Sequence, residues 1–210
     1  MNKMDEMILV AKRKNVFDNE ELAFQGLLRA SGSVLQIMYN IGEALEVKRR
    51  GDMEEDPSYK QPIPYFIIRN HEGKVFLYKR LGGSGESRLV EKTSIGVGGH
   101  MNHLGNMNFM NELPKNGERE LNEELKLISN DGFEHSFQID HITVAGLIND
   151  DDNEVGKVHI GLLAVIDIPK GLDVEVRETD ALEGEWVTVE ELQAPEAHEH
   201  LESWSQLALS

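Results

Sequence analysis

The sequence predicts a single α/β or α+β core, and three observations carry that expectation. Apolar runs rich in β-branched residues recur from Ile63 onward, and such runs read as strands. Two other stretches, one starting at Ser33 and one at Gly117, place apolar residues at helical spacing instead. The chain's 210 residues suit one core with room for an extension. Strands interspersed with a few helices bury their apolar faces by packing helices onto a sheet.

Taken in order, "MILVAK" (Met7–Lys12) reads as a short strand. In "SVLQIMYNIGEALEVKRR", Val34, Met38, Ile41 and Leu45 are spaced by four, three and four, which predicts one helix face. "GDMEEDPSYKQP" is polar and holds two prolines, so it reads as a connection. The expected boundary lies there, with residues 1–60 a strand-helix extension and residues 61–210 the core. "IPYFIIRN" and "KVFLYKR" form a hairpin across a Gly-containing loop, and "TSIGVGGH" is a short strand running into glycines. "HITVAGLI" and "KVHIGLLAVIDIP" read as two further strands. "EGEWVTVEELQ" turns from strand to helix, with Thr188 and Glu191 at capping-box spacing. The tail places Leu201, Trp204 and Ala208 on one helical face.

Charge narrows the function. There are 38 acidic against 21 basic residues, a net charge of −17. That field repels nucleic acid backbones and anionic membranes, so neither is an expected partner. A polyanionic substrate needs local bases or a metal to be held. The absence of cysteine excludes disulfides, thiolate nucleophiles and zinc-thiolate sites. The first apolar run, Met7–Ala11, is too short for a signal peptide or a membrane span, so a cytoplasmic protein is expected.

The stretch "GERELNEELKL" crowds Glu118, Glu120, Glu123 and Glu124 into seven residues. On a helix, Leu121, Leu125 and Ile128 share one face, and Glu120, Glu123 and Glu124 share the other. The like-charge pairs at i,i+3 and i,i+4 each cost about 0.2–0.5 kcal/mol. One reading is a solvated acidic face. The other is a divalent cation held over three carboxylates. Composition alone does not choose between them.

The order of residues does. "REL-N-EE-L", with "SIGVGGH" upstream and "EGEWVTVEEL" downstream, resembles the Nudix hydrolase family. Segments such as "YKQPIPYFIIRN" and "FLYKRLGGSGESRL" resemble, more narrowly, a bacterial subfamily of predicted Nudix-type phosphoesterases with an N-terminal extension. The resemblance implies a Nudix-type α/β/α sandwich with a mixed sheet. It implies Mg²⁺ or Mn²⁺ bound by Glu120, Glu123 and Glu124, with Gly98 giving a carbonyl to the metal. Glu120 becomes a candidate base, Glu123 a catalytic ligand and Arg119 a structural member of the catalytic helix. The sequence departs from the pattern in three places. The interval from Gly99 to Arg119 is twenty residues, longer than in the family, the excess lying in "HMNHLGNMNFM". Asn111 stands where the family has a glutamate, with Glu112 beside it, and Lys126 replaces a glycine, so the helix is expected to run on through Lys126.

Other residues are weighed singly. Lys79, Arg80 and Arg88 flank "LGGSGES" and are candidate phosphate binders, against the plainer reading of a charged hairpin end. His100, after the paired glycines, is a candidate to touch substrate or orient a ligand. His159, inside an apolar strand, is expected to pack or donate to backbone. "NDDDNEVG" reads as a solvated loop, and Glu154 in it is the candidate extra base or ligand, ahead of Glu178 and Glu183. The expected function is a metal-dependent hydrolase of a small phosphorylated compound, with homodimerisation as in many Nudix proteins. The alternative is a Nudix-fold binding or sensor module. An isomerase acting on a prenyl diphosphate would want a cysteine that this chain lacks.

Overall fold

In the computed structural model the described residues are 2–29, 31–80, 92–105, 107–177, 179 and 182–210, with the side chain of Arg80 excepted. The strands are β1 (Met7–Lys12), β2 (Gly26–Arg29), β3 (Leu45–Arg49), β4 (Tyr59–Arg69), β5 (Val75–Arg80), β6 (Thr93–Ser94) and β7 (Gly96–Gly98). After them come β8 (Leu125–Ser129), β9 (Glu134–His135), β10 (Gly146–Asn149), β11 (His159–Asp167), β12 (Leu172–Val176) and β13 (Leu182–Val187). The helices are α1 (Arg13–Val16), α2 (Gly32–Glu43), α3 (Arg50–Met53), α4 (Phe109–Glu124), α5 (Glu154–Val158), α6 (Val189–Gln193), α7 (Pro195–His200) and α8 (Ser203–Ala208). Among the described residues the strands fall into one large sheet and one three-stranded sheet, so the α/β expectation holds. No helix among them is long and apolar enough to cross a membrane. The chain forms two compact units.

The first unit comprises Met1–Tyr65, Gly98–Gly117 and Ile139–Ala164. Here β1 pairs antiparallel with β3, from Met7↔Arg49 to Ala11↔Leu45, and its end pairs with β4 at Ala11↔Lys60. Strand β10 runs antiparallel to both β2 and β11, with Leu147 opposite Leu28 and Leu162. Ser31 caps α2 by accepting from the Val34 N–H, and the helix buries Val34, Ile37, Met38 and Ile41. These join Leu9, Phe17, Leu113 and Ile160 in one core, where each fully buried aliphatic side chain contributes about 1.5–3 kcal/mol. The helix ends at Glu43, two residues short of Leu45. Leu45 meets the core from β3 instead, because pairing with Ala11 takes up its backbone hydrogen bonds. The expected strand over 141–148 is confined to β10, and its partner starts only at His159, after α5.

The insertion after Gly99 is fastened to β1 in this unit. Leu9 N donates to Met101 O at 2.7 Å, and His103 N to Met7 O at 3.1 Å. From α4, Asn116 accepts from Asn102 N at 2.8 Å and donates to Asn102 O at 3.1 Å, while the buried Glu112 carboxylate accepts from Leu104 N at 3.1 Å. Met101–Leu104 thus run along the N-terminal strand, held between it and α4.

The acidic loop after β10 is also packed. Asp150 and Asn149 are buried. The fully buried Lys60 ammonium donates to Asp151 Oδ1 at 2.9 Å, Gly156 O at 3.0 Å and His159 O at 3.2 Å. Arg13 reaches the same Asp151 oxygen at 2.8 Å and pairs with Glu20 on its other side. The solvated-loop expectation therefore fails at Asp151, because a buried cation needs a paired anion, and at Asp150, whose carboxylate accepts from Gln25 and Asn153.

The second unit comprises Phe66–Val97, Glu118–Gln138 and Val165–Ser210. Strand β5 pairs with β13 from Val75↔Val187 to Arg80↔Leu182, and the Phe76 and Trp186 rings meet edge-to-face at 5.2 Å. In the small sheet β8 lies between β9 and β12. The acidic helix stops at Glu124 and does not run through Lys126. Leu125–Ser129 pairs with β12 from Leu125↔Val176 to Ser129↔Leu172, and Arg177 N donates to Glu124 O at 2.9 Å. Leu125 and Leu127 alternate into the core as strand residues do, so Ile128 is not on the helix face. The expected capping box at Thr188 and Glu191 is present. The tail is two short helices, and Leu201 lies between them in extended backbone, bridged to Thr93 and buried.

Candidate functional site

In the second unit Arg119, Glu120, Glu123 and Glu124 occupy the end of α4. Leu121, fully buried, anchors this turn, and Asn122 fixes the following chain by accepting from Phe137 N at 2.8 Å and donating to Phe137 O at 3.0 Å. Arg119 reaches Glu120 at 2.7 Å and both Glu123 oxygens at 3.2 Å. The Glu123 side chain is more than half exposed, and that of Glu120 is mostly covered. Burial raises the Glu120 carboxyl above the ordinary range; Arg119 opposes that, and the negative charges of Glu123 and Glu124 add to it. Arg119 bridges two of the three carboxylates. Their chemistry, all oxygen and anionic, fits a hard divalent cation.

The sign of the Glu120 shift gives a prediction. A carboxyl raised in the fold costs nothing below the unfolded pKa. Its cost appears as pH rises through the folded value. Glu120→Gln is therefore expected to melt above wild type at neutral pH without metal. The two are expected to converge at acid pH. Thermal melts in chelator across pH check this, and a variant that melts below wild type at neutral pH would refute it.

Gly98 lies in the first unit at the end of β7, pressed against β4. A Cβ there would collide with the Pro64 carbonyl oxygen, so only glycine permits this approach. Gly98→Ala is expected to cost about 1–3 kcal/mol through forced backbone displacement. Urea unfolding measures it, and an unchanged midpoint would show that the strands can separate freely.

The other expected residues sort as follows. Lys79 pairs with Glu183 at 3.1 Å, both about half exposed, as a charged hairpin end would. Arg88 lies outside the described residues, as do the side chain of Arg80 and Glu178. Glu154 points to solvent at 89% side-chain exposure and pairs with Lys157.

His100 is brought together with two residues from far along the chain. Its Nε2 lies 3.1 Å from His159 Nε2 and 3.3 Å from Glu54 Oε1. His159 Nδ1 donates to Val155 O at 2.7 Å, as expected for a backbone-bonded histidine. Burial, aided by His100, lowers the His159 pKa to about 4, so the ring is neutral with Nε2 unprotonated. The hydrogen bond from His100, with a second from Arg50, holds the Glu54 carboxyl at about 2 against the cost of burial. The ligand atoms of Glu54, His100 and His159 all lie within 4.8 Å of one another. Sequence reasoning singled out His100 but not this set, because its members stand 46 and 59 residues apart and share no spacing motif.

No protein-family model matches the chain. The chain is 48% identical to Protein YmaB of Bacillus subtilis (strain 168) over 210 residues, spanning 100% of this chain and 98% of that protein. It is similar to the crystal structure of Tm1382, named as a putative Nudix hydrolase. That likeness has a TM-score of 0.76 and 27% sequence identity, covering 97% of this chain and 96% of Tm1382.

Proposed function

Because the chain belongs to the family of Protein YmaB and has the Nudix hydrolase fold, we propose that it is a metal-dependent hydrolase. Its substrate is a nucleoside diphosphate-linked or similar small phosphorylated compound, cleaved at a phosphoanhydride or phosphoester bond. The observation that carries this reading is the set Glu120, Glu123 and Glu124 on the last turns of α4, in a fold shared with a Nudix protein.

Glu120, Glu123 and Glu124 would hold Mg²⁺ or Mn²⁺. The ion supplies positive charge to the phosphates and acidifies a water. Glu120, whose side chain is mostly covered, is the candidate base. Arg119 restrains Glu120 and Glu123 before the ion arrives. Leu121 holds their turn rigid, as a site that aims a water requires. In so acidic a protein, Lys79, Arg80 and Arg88 are the bases for the phosphate chain, and His100 borders the Gly98 turn. The protein is cytoplasmic and acts on small molecules, as a homodimer.

A release assay tests this. It uses a panel of nucleoside diphosphate sugars, ADP-ribose, dinucleoside polyphosphates, coenzyme A, nucleoside triphosphates and phosphomonoesters. Mg²⁺ and Mn²⁺ are each compared with chelator. Metal-dependent turnover of one class is expected. No turnover, with one compound raising the melting temperature, would replace the hydrolase with a binding module.

A further inference from the structure

We propose that Glu54, His100 and His159 form a second metal site in this protein, selective for a first-row transition ion of the zinc type. It is chemically distinct from the all-carboxylate set on α4.

Three observations support it. The first is donor type: two imidazole nitrogens and one carboxylate suit zinc and its neighbours, whereas magnesium prefers oxygen alone. The second is spacing. Ligand atoms about 2.0–2.1 Å from a tetrahedral ion stand about 3.3–3.4 Å apart. Here the separations are 3.1 Å between the two Nε2 atoms, 3.3 Å from His100 Nε2 to Glu54 Oε1, and 3.9 Å from His159 Nε2 to Glu54 Oε2. Small side-chain movements bring all three onto one ion. The third is preparation. Val155 O takes the Nδ1 proton of His159 at 2.7 Å, so the Nε2 lone pair faces the cluster. Such a hydrogen bond on the far nitrogen is what orients metal-binding histidines. Lys60 holds the His159 carbonyl at 3.2 Å, and Arg50 braces Glu54 Oε1 at 3.0 Å. A hydrogen bond alone accounts for the set less well, because a single His100 Nε2 proton would have to serve both Glu54 and His159.

The ion would bind three parts of the first unit: the end of α3, the loop after β7 and the start of β11. Three protein ligands leave a fourth position for water or a substrate oxygen. The site does not depend on the hydrolase reading.

The test uses untagged, metal-stripped protein titrated with Co²⁺, read by visible d–d absorption. Wild type and Glu123→Gln are both expected to show a low-symmetry, nitrogen-bearing spectrum on the first equivalent of Co²⁺. His100→Gln is expected to lose that spectrum, and Glu54→Gln to bind at least tenfold more weakly. Circular dichroism checks that each variant is folded. Hyperfine-shifted imidazole protons of wild-type Co²⁺ protein give a reading that needs no variant, and two rings are expected. A wild-type spectrum that stays that of aqueous Co²⁺ would overturn the proposal. So would an unchanged spectrum in folded His100→Gln, or the absence of shifted imidazole protons. Loss of the signal in Glu123→Gln alone would place the ion on α4 and overturn it too. Panel turnover is scored separately, so each reading can fail without the other.

Discussion

Glu123→Gln is expected to lower turnover of the panel substrate about 10²–10³-fold while leaving the fold intact. The size follows from the charge removed. A divalent ion at a phosphoryl centre supplies several kcal/mol of transition-state stabilisation, and losing about 3–4 kcal/mol of it amounts to that factor. The fold should survive because the Glu123 side chain is 57% exposed and pairs with Arg119, an exposed pairing of little energetic value. Glutamine keeps the shape and removes the charge. The decisive measurement is kcat in Mg²⁺ for wild type and variant, beside their melting curves. Unchanged turnover in a folded variant would remove Glu123 from the site. Equal loss of turnover and stability would make it structural.

Asp151→Asn is expected to give the largest loss of stability of any single change considered, about 3–5 kcal/mol, since it strands a buried cation. Lys60 is fully buried, and its three donors go to Asp151 and two carbonyls. Burial pulls the Lys60 pKa down, and the bond to Asp151 opposes this. The Asp151 carboxyl is held below the usual range by hydrogen bonds from Arg13, Lys60 and Asn149, which outweigh its own burial. A lowered aspartate pKa contributes stability above the unfolded value, and that contribution is lost as pH falls toward the folded one. The gap between wild type and variant should thus be full at neutral pH and narrow in acid. Urea unfolding across that range measures it. Adding Lys60→Met should recover much of the loss, since an apolar side chain needs no partner there. A gap below about 1 kcal/mol at neutral pH would mean that water reaches Lys60.

What the sequence makes legible depends on the range of the interaction. Strands β1, β5 and β13, β4 from Ile63 on, the buried stripe of α2 and the capping box at Thr188 follow from patterns within a dozen residues, whereas β4 already begins at Tyr59, inside the stretch that reads as a connection. The acidic set on α4 is legible for the same reason, because Arg119, Glu120, Glu123 and Glu124 share one helical segment. Misreadings occur where a distant strand competes for the backbone. Leu45 continues the α2 pattern but is taken by β1, and Leu125 continues the α4 pattern but is taken by β12. "LKLIS" fits both periods, and only the partner strand decides. Asp151 looks solvated until Lys60, 91 residues earlier, is found beneath it. Glu54, His100 and His159 are separated in the same way, so no local pattern announces them.

The path of the chain has a consequence for its synthesis. Each unit is assembled from three separated segments, and the first cannot close until Ala164 has been made. Strand β4, nine of whose eleven residues end up buried, leaves the ribosome long before β11. At about 5–20 residues per second, the 91 residues from Lys60 to Asp151 take roughly 5–20 s to add. Throughout that time the nascent chain carries a long apolar strand without β11, its neighbour in the sheet. Slower elongation between residues 70 and 150 would lengthen its exposure and lower the yield of native protein, without altering one residue.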